Sequence, residues 1–215
     1  METGSTITTI RRVLRGELGW AWPIFLLGCV LRQRALVAPT RWATSGAPAA
    51  EARYARRLAL ASAVYLGLCT RVGQPRAYQA MQRLLTPIGG ALPHTVLAQM
   101  GSTSLRPMER LMAFQRRMEQ SEGGRFNTRV YGTCDTTTCA YRITRCVVVD
   151  VFTALGTPEL TRLICEVDRV FFAEAFPEFA FSRGDSWENT MAYGKPACAF
   201  MLVLRTPGDS SATPG

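Results

Sequence analysis

The feature that most constrains this chain is a change of periodicity at residues 119–125 (EQSEGGR). Before it, apolar residues recur every three or four positions, the spacing of one helix face. After it come short runs rich in Thr, Val, Tyr and Ile, the chemistry of strands. Helices first and strands late imply an α+β fold, with a helical N-terminal half packed on a small antiparallel sheet of about four strands. The expected organisation is a mainly helical portion over residues 1–120, an α+β portion over 121–205 and a disordered tail over 206–215. A length of 215 residues suits one structural unit.

Within the helical half, the run Trp20 to Leu31 (WAWPIFLLGCVL) is the most apolar. It is shorter than the roughly 20 residues a membrane span needs, so it reads as a helix packed through Trp20, Trp22, Phe25 and Leu27, with a helix lying in a membrane surface, supported by the flanking Arg15, Arg32 and Arg34, as the alternative. Residues 38–50 read as a loop. Glu51 to Val72 carries Tyr54, Leu58, Ala61, Tyr65 and Leu68 on one face. A helix over Arg76 to Leu85 should break at Pro87, Gly89 and Gly90, and another should span Pro107 to Gln120.

Beyond the switch, residues 126–133 and 138–144 read as a hairpin around Cys134 and Asp135. A helix should start near Cys146 and stop at Leu155-Gly156, where Gly suits a left-handed cap. Thr157 can cap a helix from Pro158 to about Phe172, with Glu159 favoured by the dipole. Its stripe is Leu160, Leu163, Ile164, Val167, Val170 and Phe171, and Cys165, Asp168 and Phe172 share one flank. Strands are expected at Phe179 to Arg183 and at Cys198 to Arg205.

Composition sets limits on function. Apolar residues make up 47%, enough to build a core without metal or disulfides. The formal charge of +9 is uneven: residues 1–120 hold sixteen Arg against five acids, and the remainder is slightly acidic. Only one of 25 basic residues is Lys, and no nucleic-acid-binding signature accompanies the charge, so a nucleic acid is not the expected partner. Seven Cys without a secretory signal imply reduced thiols and a cytoplasmic protein with no stable membrane span, and a homodimer is compatible with this.

The order of residues in the second half is informative. Cys146, then Leu155-Gly156-x-Pro158-Glu159-Leu160, then Cys165-x-x-Asp168, then a strand ending in Arg183, then Thr190-x-x-x-Gly194-x-x-x-Cys198-x-Phe200 resembles the L-2-amino-thiazoline-4-carboxylic acid hydrolase family over residues 126–204. Ala199 stands where that family places Asp. The layout is also similar, more faintly, to vinyl-reductase-type ligand-binding domains, with helices on a small antiparallel sheet.

The resemblance implies an enzyme that opens a cyclic carbon–nitrogen bond in a small molecule. The residues offer matching chemistry. Cys165 and Asp168 lie three apart on one helix face and project side by side. A thiolate of Cys165 or Cys198 could attack an electrophilic carbon while Asp168 moves the proton. Alternatively Cys146, Cys165, Asp168 and Cys198 could hold a zinc ion; otherwise no cofactor is expected. Arg183 could clamp a substrate carboxylate through two hydrogen bonds, with Cys146 and Phe172 lining the pocket and Trp187 and Tyr193 closing over it. Arg169 or Arg145 could instead pair with Asp168. His94, the single histidine, reads as a surface group, and the Cys134/Cys139 pair lacks the partners of a zinc site. Two other functions fit the same pocket: a cyclase, isomerase or dehydratase of specialised metabolism, and a non-catalytic ligand-binding module.

Overall fold

The computed structural model describes residues 3–43, 47–101 and 104–206. Five helices come first: α1 (Thr3–Leu18), α2 (Trp22–Val37), α3 (Ala49–Val72), α4 (Gln74–Gln99) and α5 (Pro107–Gln120). A hairpin of β1 (Thr128–Cys134) and β2 (Thr138–Arg145) follows, then α6 (Val147–Ala154), α7 (Leu160–Ala175), β3 (Phe179–Ser182) and β4 (Cys198–Leu204). The four strands form one antiparallel sheet in the order β1-β2-β4-β3, as the α+β reading requires. The expected tail lies almost wholly outside the described residues.

Strand periodicity decides which side chains face inward. Tyr141 pairs with Phe200, Ile143 with Cys198 and Cys139 with Leu202, and all six are buried. That face meets α5 and α7, where Phe114, Phe171, Phe172 and Phe176 pack ring on ring. Each such burial is worth about 1.5–3 kcal/mol. A second cluster joins α1 to α4 with α6 and the start of α7, so α7 contributes to both: Leu160 and Leu163 at one end, Phe171 and Phe172 at the other.

Three local expectations change. First, α4 does not break at Pro87, Gly89 and Gly90 but runs on to Gln99. Proline removes one backbone bond and strains the turn before it. Here the helix lies along α7, and the bare Cα of Gly89 lets Val167 come so close that a Cβ there would sit 3.0 Å from its methyl. Tertiary contact outweighs local propensity. Second, Thr157 does not cap α7. Its hydroxyl lies 2.8 Å from that of Ser62 on α3, both side chains being fully buried. Third, the apolar N-terminal run is packed on one face only. Phe25 and Cys29 are buried against α3, where Gly67 admits the Phe25 ring. Trp22 is half-buried, whereas Trp20 is 81% and Leu27 62% exposed, on a stripe continued by Ile24 and Leu31. Gly19, at φ 59°, breaks the helix ahead of this stripe. Taken together, Thr6–Val37 is the one stretch among the described residues long and apolar enough to cross a membrane.

Candidate functional site

An aromatic row crosses the inner face of the sheet and carries two arginines. Tyr141 of β2 stacks on Phe200 of β4 at 4.6 Å, and Phe181 of β3 stacks on Phe200 from the other side at 5.7 Å. Arg129 of β1 lies 4.4 Å over the Tyr141 ring. Arg183, just beyond β3, lies 3.8 Å over Phe200. Cations above aromatic faces in a desolvated setting are held by the ring quadrupole.

Arg183 is 1% exposed and is the largest fully buried side chain. Its Nη2 donates to Asp168 Oδ2 at 2.8 Å and its Nη1 to the Ala199 carbonyl at 3.1 Å. The guanidinium thus serves Asp168, and it is Arg183 rather than Arg169 or Arg145 that pairs with this carboxylate; those two engage Glu166 and the Glu51/Asp150 pair. A carboxylate clamp made by Arg183 would have to compete with Asp168.

The cavity between sheet, α5, α6 and α7 has a volume of about 190 Å³. Its wall includes Cys146, Cys165, Cys198, Asp168, Phe172 and Arg183, six of the residues singled out from the sequence. Each arrives by a different local device. Cys165, Asp168 and Phe172 are one flank of α7. Cys146 precedes α6, whose first amide, Val147 N–H, donates to the Asn127 side chain at 2.9 Å. Cys198 is delivered by the turn over 190–197: Thr190 accepts backbone bonds from Tyr193 and Lys195, Gly194 takes the left-handed conformation, and the Met191 N–H donates to Cys198 Sγ at 3.2 Å.

The electrostatics follow from enclosure. Asp168 keeps 39% of its side-chain surface and lines the cavity, packed among apolar side chains. Burial therefore pushes its carboxyl above the usual carboxylate range, and the Arg183 charge and hydrogen bond only partly oppose this. Burial likewise raises the thiols. Cys146 is pushed up to about 11, Cys165 further still with the Asp168 charge adding to burial, and Cys198 rises against the opposing Met191 N–H and Arg183. All seven cysteines are free. Among the described residues, no group of three or more His, Cys, Asp or Glu is placed to hold a metal ion.

Trp187 and Tyr193 do not line the cavity. Trp187 donates to Glu166 at 2.7 Å and meets Phe181 edge-on, and Tyr193 lies under Arg162. His94 is also outside, half-exposed, with its ring edge-on to Phe171. Cys134 and Cys139 approach within 3.9 Å on the hairpin.

Two further cavity residues were not singled out from the sequence. Arg129 is almost fully covered, its Nη1 donates to Gln115 Oε1 at 2.6 Å, and its Nε has no partner; the Gln115 Nε2 has none either. Both side chains line the cavity. Buried donors without acceptors are rare and costly, so these two are free to receive an acceptor from a bound group or a water. A signal existed: Gln115 interrupts the apolar face Leu111, Phe114, Met118 of α5, and Arg129 shares its strand parity with inward-facing neighbours.

This fold and cavity define a class: an α+β protein with a pocket in which thiols, a carboxyl and guanidinium donors meet. A protein-family model described as L-2-amino-thiazoline-4-carboxylic acid hydrolase matches residues 52–202. The chain belongs to that family, and the match reaches back through α3, α4 and α5, well beyond the motif run of the second half. No curated protein and no solved structure matches it.

Proposed function

We propose that this protein hydrolyses a carbon–nitrogen bond in a small cyclic molecule that carries a carboxylate. The observation behind this reading is the Asp168 carboxyl, held by Arg183 in an enclosed cavity beside two thiols, with a proton affinity raised by burial. Membership of a family of small-molecule hydrolases supports it.

The unpartnered N–H groups of Arg129 and Gln115 receive the substrate carboxylate. A carboxyl with raised affinity is better matched to accept and return a proton near neutrality. The Cys198 thiol gives its proton to Asp168 as sulfur bonds to the electrophilic ring carbon. Asp168 passes that proton to the ring nitrogen as the carbon–nitrogen bond breaks. Water then displaces sulfur and restores the thiol. Cys198 is preferred to Cys165 because the Met191 N–H donates to its sulfur and so favours the thiolate.

The test is ring opening of 2-aminothiazoline-4-carboxylate and its analogues, followed by mass spectrometry as the gain of one water. Asp168→Asn should lower kcat by about 10²–10⁴-fold with ligand affinity retained. Arg129→Lys should raise KM and leave kcat largely unchanged, because a point charge replaces a planar fork. Full activity in the Asp168→Asn enzyme would rule out proton transfer at this residue.

A further inference from the structure

The catalytic cavity is not isolated. On the side away from the sheet, under α1 and between α3 and α4, lies a second cavity of about 510 Å³. Its walls are hydrocarbon over most of their area, supplied by Leu14, Leu58, Val64, Met81, Leu84 and Ile88 among others; Thr6, Arg57 and Glu122 are its polar exceptions apart from the Tyr54 hydroxyl. Tyr54, Gly89, Leu92, Val148 and Ile164 line both cavities, so the two share one wall.

Sizes and chemistry make the pair more informative than either part. Ligand pockets run from about 300 to 1,000 Å³. The polar cavity, about 190 Å³, falls below that range, and the apolar one lies within it. Its mostly apolar lining lacks the two to four polar partners that hold an ordered water. What fits is a hydrocarbon group. The donors of Arg129 and Gln115 and the Asp168 carboxyl all lie in the small cavity, so the polar end of such a ligand belongs there.

We infer that the apolar cavity is a binding site for the hydrocarbon chain of an amphiphilic substrate whose carboxylate-bearing head occupies the adjoining polar cavity. The location of the head rests on the function proposed above; the chain site rests on the shape and chemistry of the second cavity. The substrate class is therefore a small polar head carrying an acyl-like or prenyl-like tail, larger than a bare thiazoline. Gly89 stands in the shared wall, where its bare Cα lets Val167 of α7 pack closely.

Straight-chain carboxylates of increasing length, from butyrate to tetradecanoate, test this by displacement of a dansylated undecanoate probe from the full-length protein. Affinity should rise by about three- to fourfold per methylene, the ratio expected for full burial, and level off once the chamber is filled. Ala61→Phe and Leu58→Trp, each placing bulk in the chamber, should abolish that chain-length dependence while leaving butyrate binding within about twofold; two variants are used so that a folding failure in one does not decide the matter. Length-dependent affinity in the wild type that is lost in a folded chamber variant supports the site, whatever the hydrolysis assays give. Affinity independent of chain length, or a dependence that survives in the folded variants, overturns it even if the thiazoline is turned over.

Discussion

Asp168→Asn and Arg183→Met should cost very different amounts of stability, although they remove the two ends of one ion pair. Arg183 Nη2 and Asp168 Oδ2 are 2.8 Å apart. At an effective dielectric near 20, two unit charges at that distance attract by about 6 kcal/mol before desolvation is subtracted. Burial nonetheless raises the Asp168 carboxyl above its ordinary value, so for this side chain desolvation exceeds the attraction. The sign of the pH dependence follows. A folded-state value above the unfolded 3.8 means that the stability contributed by this carboxyl is complete below 3.8 and is lost as pH rises through the folded value. Asparagine resembles the neutral form and does not titrate. Asp168→Asn should therefore melt within about 1 kcal/mol of the wild type, roughly 2–4 °C for a chain of this length, and the gap should narrow as pH rises. Arg183→Met leaves the carboxyl without its cation and the Ala199 carbonyl without its donor, at a cost of about 3–5 kcal/mol, or about 6–20 °C. Circular dichroism melts across the acid-to-neutral range measure both. If Asp168→Asn falls as far as Arg183→Met and the gap widens toward high pH, the ionised pair is net stabilising and the reasoning that desolvation outweighs the attraction at Asp168 fails.

The packed and bare faces of α2 should respond oppositely to truncation. Phe25→Ala should cost about 3–5 kcal/mol, whereas Leu27→Ser should stay within about 0.5 kcal/mol; comparable losses by urea denaturation would contradict the one-sided packing. Thiol labelling should follow exposure and proton affinity. With iodoacetamide near neutral pH, Cys134, which is exposed, should be modified first. Cys146, with its thiol pushed up to about 11, and the higher still Cys165 should lag far behind in the folded protein. Peptide mapping that finds Cys165 labelled as fast as Cys134 would mean that its thiol is neither buried nor raised.

Where a signal was local, the sequence carried it. The helix Pro107–Gln120, the hairpin around Cys134 and Asp135, the helix following Cys146 and the parity of Cys198, Phe200 and Leu202 all rest on periodicity, turn chemistry and proline or glycine placement, which act within a few residues. The flank Cys165, Asp168 and Phe172 was legible for the same reason: one helix fixes their directions. Tertiary contact decided the rest. Pro87 and Pro93 remain inside α4 because α7 supports that helix along its length. Thr157 turns from capping to Ser62, which lies 95 residues earlier in the chain. Arg183 was recognisable as a buried guanidinium only once β3 and α7 set it against Asp168. Arg129 and Gln115 meet from a strand and a helix, and the apolar chamber beside them is bounded by helices distant in sequence. A propensity acts on its own neighbourhood, whereas a cavity, an unpartnered donor and a shifted proton affinity exist only where separate segments exclude water together.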